Sequence, residues 1–111
     1  MSETAQEKMA AMVAALWQKN QPQVLERLSL IESAAEAALD GALTTEQRAT
    51  AEGTAHKLAG SLGMYGFPKG TQLARALEVQ LGEAVPDPQV LIVLIAELRG
   101  TLYPHELATD R

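Results

Sequence analysis

Apolar residues recur at three- and four-residue intervals along most of the chain, interrupted by clusters of Pro, Gly, Asn and Asp. That spacing makes one face of a helix apolar, and the interruptions divide the chain into five predicted helices. The first spans about residues 3–18, with Ser2 placed to cap it and Glu3 and Glu7 placed to complement its dipole. Asn20-Gln21-Pro22 breaks the pattern, and the proline suits the first turn of a second helix, from about Pro22 to Leu39. Val24, Leu28, Ile31 and Ala35 form its apolar stripe, and Asp40-Gly41 ends it. Thr44 and Gln47 make a capping-box pair for a third helix that reaches about Met64. Gly66 caps its C-terminus and Phe67-Pro68 turns the chain. The fourth helix, about Pro68 to Leu81, carries Leu73, Leu77 and Leu81 at four-residue spacing and stops at Gly82. Asp87 caps the fifth, Pro88 fills its first turn, and Val90, Leu91, Leu94, Ile95 and Leu98 build its face.

No segment alternates with the period of a strand, and the apolar run from Val90 to Ala96 reads as helix from its length and Asp-Pro start. Short connections make the last four helices antiparallel neighbours. The expected fold is therefore all-α, an antiparallel up-down four-helix bundle over about residues 20–103. An additional N-terminal helix at about 3–18 and a loose tail at 104–111 complete one domain, 1–111. Met9, Met12, Val13, Leu16 and Trp17 on the first helix are placed to cover an end of the bundle or to pair with a second copy; a monomer is expected.

Composition removes several classes of function. There is no cysteine, so thiolate catalysis, redox exchange and zinc-thiolate sites are excluded. Fourteen acidic against nine basic side chains leave a net charge of −5, which repels phosphate backbones. The aromatic residues Trp17, Tyr65, Phe67 and Tyr103 do not make a base-stacking platform, and nucleic acid is not an expected partner. No apolar run is long enough for a bilayer, and the start Met-Ser-Glu-Thr lacks the features of a signal peptide, so a soluble, cytoplasmic protein is expected with no membrane partner. With two histidines and no His-x-x-x-His pair, no metal site and no bound cofactor are expected.

What remains is one histidine. On the third helix Ala51, Ala55, Leu58, Leu62 and Tyr65 share an inner arc, and His56 lies almost opposite its centre, toward solvent. Gly60 and Gly63 follow it at one-turn intervals, while Gly53 and Ala59 flank it. Each glycine inside a helix costs about 1 kcal/mol relative to alanine. The ring thus rises from a nearly bare backbone ridge, an arrangement suited to close approach by a partner protein. Neutral imidazole is available at cellular pH and attacks phosphorus to give a phosphoramidate that can pass the group onward. Lys57 is placed to reach phosphoryl oxygens, and Glu52, one turn earlier, to orient the ring. The blander readings are that the glycines serve helix packing, that Lys57 and Glu52 are solvated charges, that Met9, Met12 and Met64 are packing residues, and that His105 is inert.

His56-Lys57-Leu58-Ala59-Gly60-Ser61, followed by Gly63 and Gly66 and then by Leu73, Ala76, Leu77 and Glu78, resembles the histidine-containing phosphotransfer (HPt) domain. The resemblance extends over roughly residues 20–102. It implies a four-helix-bundle carrier without an ATP site, in which His56 takes a phosphoryl group from a receiver-domain aspartate and gives it to another receiver. Partners would be response-regulator receiver domains or a hybrid histidine kinase, and the receiver would supply Mg²⁺. Lys57, Gly60 and Ser61 would position the phosphoryl group, and Glu52, Ala59, Gly63, Met64 and Phe67 would lie on the docking surface. One departure is Ala59, where many members of the family carry lysine; Lys69 and Arg75 on the next helix are candidate substitutes. Two other functions fit the same module: a docking or inhibitor domain that is not phosphorylated, and the direct substrate of an ATP-dependent histidine kinase.

Overall fold

A computed structural model of the chain describes residues 4–104. Four helices make up nearly all of it, α1 (Ala5–Leu39), α2 (Thr45–Leu62), α3 (Pro68–Leu81) and α4 (Pro88–Leu102), with no strand among the described residues. Each helix packs on two neighbours, closing a ring α1–α2–α3–α4, and the backbones of the diagonal pairs do not come close. Thr71 of α3 meets Ala59 of α2 while Glu78 meets His56, so α3 runs against α2. On the opposite edge Glu32 of α1 holds Arg99 of α4 at 2.9 Å, and Leu39 shares a groove with Ile92, so these two also run in opposite directions.

The core is built from the predicted apolar faces, except that Val90 at the start of α4 is exposed and Leu94 only half-buried. Val24, Leu28 and Ile31 from α1, Leu58 and Leu62 from α2, Leu77 and Leu81 from α3, and Leu91 and Leu98 from α4 are fully buried. The caps follow the same chemistry. Thr44 Oγ1 accepts from Gln47 N at 3.0 Å and Asp87 Oδ1 accepts from Gln89 N at 2.9 Å. Gly66, with φ +87°, lets Phe67 N donate to Leu62 O at 2.9 Å and Gly66 N to Gly63 O at 3.3 Å. That left-handed closure turns the chain between α2 and α3.

The start of the chain differs from expectation. The two helices predicted on either side of Asn20-Gln21-Pro22 are one continuous 35-residue helix, α1, with Pro22 inside it. Proline removes a backbone donor and would ordinarily break a helix. Here Pro22 is exposed, so the carbonyl it leaves without a partner faces water, and residues on both sides of it are fixed by packing. Val24 and Leu28 hold the C-terminal side in the core. Trp17 holds the N-terminal side, with its ring centroid 4.7 Å from that of Phe67, 5.8 Å from Tyr103 and 6.1 Å from Tyr65. This aromatic cluster seals one end of the bundle. The cap is Thr4, whose Oγ1 accepts from Glu7 N at 3.1 Å; Ser2 lies outside the described residues, as do His105 and most of the predicted tail.

A helix of this length spans about 52 Å, against about 27 Å for α2. The start of α1 therefore overhangs the bundle, which measures 59 × 32 × 20 Å overall. Met9 and Met12 on the overhang, like Met64, are more than 60% exposed. Met9 and Met12 are not the packing residues that their spacing suggests, because the start of α1 runs on beyond the core as part of one helix, and Met64 lies exposed in the turn after α2. Leu58 sits at the centre of the core, and Leu58→Ala should lower unfolding free energy by about 2–5 kcal/mol in chemical denaturation.

Candidate functional site

Burial of Ala51, Ala55, Leu58 and Leu62 fixes the rotation of α2 and leaves the His56 side chain 74% exposed. Gly53 and Gly60 lie beside it, and a Cβ built on either would meet nothing within 4 Å. The fold itself therefore gives no steric reason for these two glycines, although each weakens the helix. Gly63 is different. A Cβ there would stand 3.2 Å from Thr71 Oγ1 of α3, so Gly63 belongs to the contact between α2 and α3. Ala59 belongs to it as well: it is only 5% exposed, and its carbonyl accepts the Thr71 hydroxyl at 3.1 Å. The expected place of Ala59 on the docking surface is thus corrected, because α3 already covers it.

The ring has a partner from α3. His56 Nδ1 stands 2.8 Å from Glu78 Oε2. A carboxylate offers only acceptor atoms, so in the neutral ring this contact places the hydrogen on Nδ1 and leaves the lone pair on Nε2. Glu52, expected to orient the ring, instead lies 3.6 Å from Arg48 and against Gly82. Arg48 in turn donates to the Leu81 carbonyl at 2.8 Å, tying the beginning of α2 to the end of α3. Glu78 appears among the residues of the family resemblance without a role. Its part in the site follows from the pairing of α2 with α3, which is invisible in the local pattern of either helix.

The remaining predicted positions separate. Lys57 lies over the groove between α1 and α2, beside Gln23, Glu26 and Arg27, rather than on the Glu78 side of His56. The Ser61 hydroxyl donates to the Lys57 carbonyl at 2.9 Å and accepts from Arg27 at 3.5 Å, so it joins α2 to α1. Met64 is exposed, whereas Phe67 is half-buried under Trp17. Lys69 and Arg75 are both exposed on α3. Among the described residues no group of three or more acidic or histidine side chains could hold a metal ion, and no helix is long and apolar enough to cross a membrane.

The site is thus an exposed imidazole on a glycine-flanked helix, held by a carboxylate from the neighbouring helix of a four-helix bundle. The Hpt domain model matches residues 1–102. The chain belongs to the Hpt domain family. It is therefore a phosphorelay module of two-component signalling, of the kind that works with receiver domains or histidine kinases. The Hpt match includes the overhanging start of α1. Protein RcaC of Microchaete diplosiphon is 33% identical to this Hpt domain over 78 residues, which cover 70% of this chain and 12% of RcaC. The chain thus spans a small part of that relative's length. No solved structure gives a significant match.

Because Gly53 and Gly60 have open space around them, Gly53→Ala and Gly60→Ala should each stabilise the fold, by up to about 1 kcal/mol in chemical denaturation.

Proposed function

We propose that this Hpt domain carries a phosphoryl group on His56, taking it from the aspartyl phosphate of one receiver domain and giving it to the aspartate of another. The observation that carries this reading is the pairing of Nδ1 with Glu78, which leaves Nε2 on the open side of an exposed ring. The Nε2 lone pair attacks phosphorus, the bond from phosphorus to the aspartate oxygen breaks, and the carboxylate leaves with that electron pair. Positive charge then develops on the imidazole, and Glu78 stabilises it through the Nδ1 hydrogen. Onward transfer reverses these steps. The same hydrogen on Nδ1 allows the ring to leave as neutral imidazole rather than as an anion.

The receiver supplies Mg²⁺ and the acceptor or donor carboxylate, while this chain supplies an aligned nucleophile. Most of its contribution is proximity and orientation. Gly53 and Gly60 leave the ridge low on both sides of the ring, and Met64 provides exposed apolar surface for a transient contact of modest area. Lys57 and Ser61, engaged toward α1, contribute to the surface and its rigidity more than to the phosphoryl group.

Incubation with an aspartate-phosphorylated receiver in Mg²⁺ should place acid-labile, alkali-stable phosphate on the wild-type chain and none on His56→Gln. Binding without any label on wild type, from every receiver tried, would instead mark a docking module. Glu78→Ala should slow labelling by about 3- to 10-fold, as expected for loss of one solvent-screened, charge-assisted hydrogen bond. In the same variant ¹⁵N NMR should show the ring hydrogen redistributed from Nδ1 toward Nε2.

A further inference from the structure

The phosphoryl group that His56 would carry adds a dianion to a site already flanked by carboxylates. Glu78 touches the ring, and Glu52 and Glu83 line the same shallow groove between α2 and α3. Ala59, where a lysine would have served, is buried by α3, and Lys57 lies on the side facing α1. A cation on the Glu78 side would offset that charge, and neither position of α2 supplies it there.

The pairing of α3 with α2 shows where one stands. Thr71 sits against Ala59 and Gly63, Glu78 against His56, and Gly82 against Glu52. These contacts place residues 71, 78 and 82 along one edge of α3. Arg75 is one turn beyond Thr71 and one turn short of Glu78, so it falls on that edge too, opposite the segment from His56 to Ala59. It lines the groove together with Glu78 and Glu52. Its guanidinium is exposed and makes no ion pair or side-chain hydrogen bond among the described residues, whereas Arg27, Arg48 and Arg99 are each committed to another helix.

We propose that Arg75 is the phosphoryl-binding cation of this domain, reaching from α3 across the groove to the oxygens of phosphorylated His56. Guanidinium suits the task because its planar array of donors matches phosphate oxygens in pairs and its charge persists at every physiological pH. The cationic function is thus relocated to α3, the helix that also orients the ring. The proposal rests on His56 being the phosphorylated residue, and its test separates the two.

Phosphoramidate, a small donor that needs no receiver, provides that separation. Wild type, Arg75→Ala, Arg75→Lys, Lys57→Ala and His56→Gln are brought to equilibrium at fixed phosphoramidate and ammonium concentrations, and phosphohistidine is measured by ³¹P NMR. Arg75→Ala should lower the ratio of phosphorylated to free His56 by about 3- to 10-fold, the worth of one solvent-screened charge pair. Arg75→Lys should recover part of the loss, and Lys57→Ala should leave the ratio unchanged. The Arg75 Nε–H resonance should move on phosphorylation of wild type. A wild-type chain labelled on His56 whose Arg75 resonance stays fixed, and whose ratio survives Arg75→Ala, overturns the role of Arg75 alone. Absence of label on wild type, or equal label on His56→Gln, overturns the phosphohistidine reading and the role of Arg75 with it.

Discussion

The seam between α2 and α3 sets the geometry on which the candidate site depends. Small residues let the two helices approach: Ala51, Ala55 and Ala59 on α2, and Gly70 and Ala74 on α3, are all buried. A Cβ on Gly70 would be crowded by Phe67 and Leu62 at 3.1 and 3.2 Å. The hydrogen bond from Thr71 to the Ala59 carbonyl then pins the relative height of the helices. A slip of one turn, about 5.4 Å, would carry Glu78 out of reach of His56. The ring's orientation is therefore set by packing away from the ring.

That division of labour explains how an exposed histidine can be well positioned. Solvent-facing ion pairs contribute little to stability. The contact between His56 and Glu78 is better understood as a consequence of the fold than as one of its supports. Its value lies in fixing which nitrogen faces outward, a matter of chemistry rather than of folding free energy. The more shielded ties that brace the bundle lie elsewhere, in Arg99 with Glu32 across α4 and α1 and in Arg48 with the Leu81 carbonyl across α2 and α3.

Much of this was legible in the chain itself, because the information was local. The inner face of α2 follows from periodicity, and with it the outward position of His56. The starts of α2 and α4 follow from Thr44 and Asp87, whose side chains bond the backbone a few residues ahead. What escaped was non-local. Pro22 is a strong local signal to stop, and it lost to packing on both sides of it, by Trp17 and by Val24 and Leu28. Glu78 lies 22 residues beyond His56, and only the pairing of two helices brings it to the ring. Ala59 looked like open surface on a lone helix because α3, which covers it, has no trace in the pattern of α2.

The aromatic seal has a consequence of a different kind. Trp17 is the sole tryptophan of the chain, and it sits edge-on to Phe67 in the turn that joins α2 to α3. The same turn carries Met64 at the end of the histidine helix. The indole is thus a built-in optical probe of that end of the bundle, excitable apart from the two tyrosines that neighbour it. Loosening of that turn changes the surroundings of a single native fluorophore, so it can be followed without an added label.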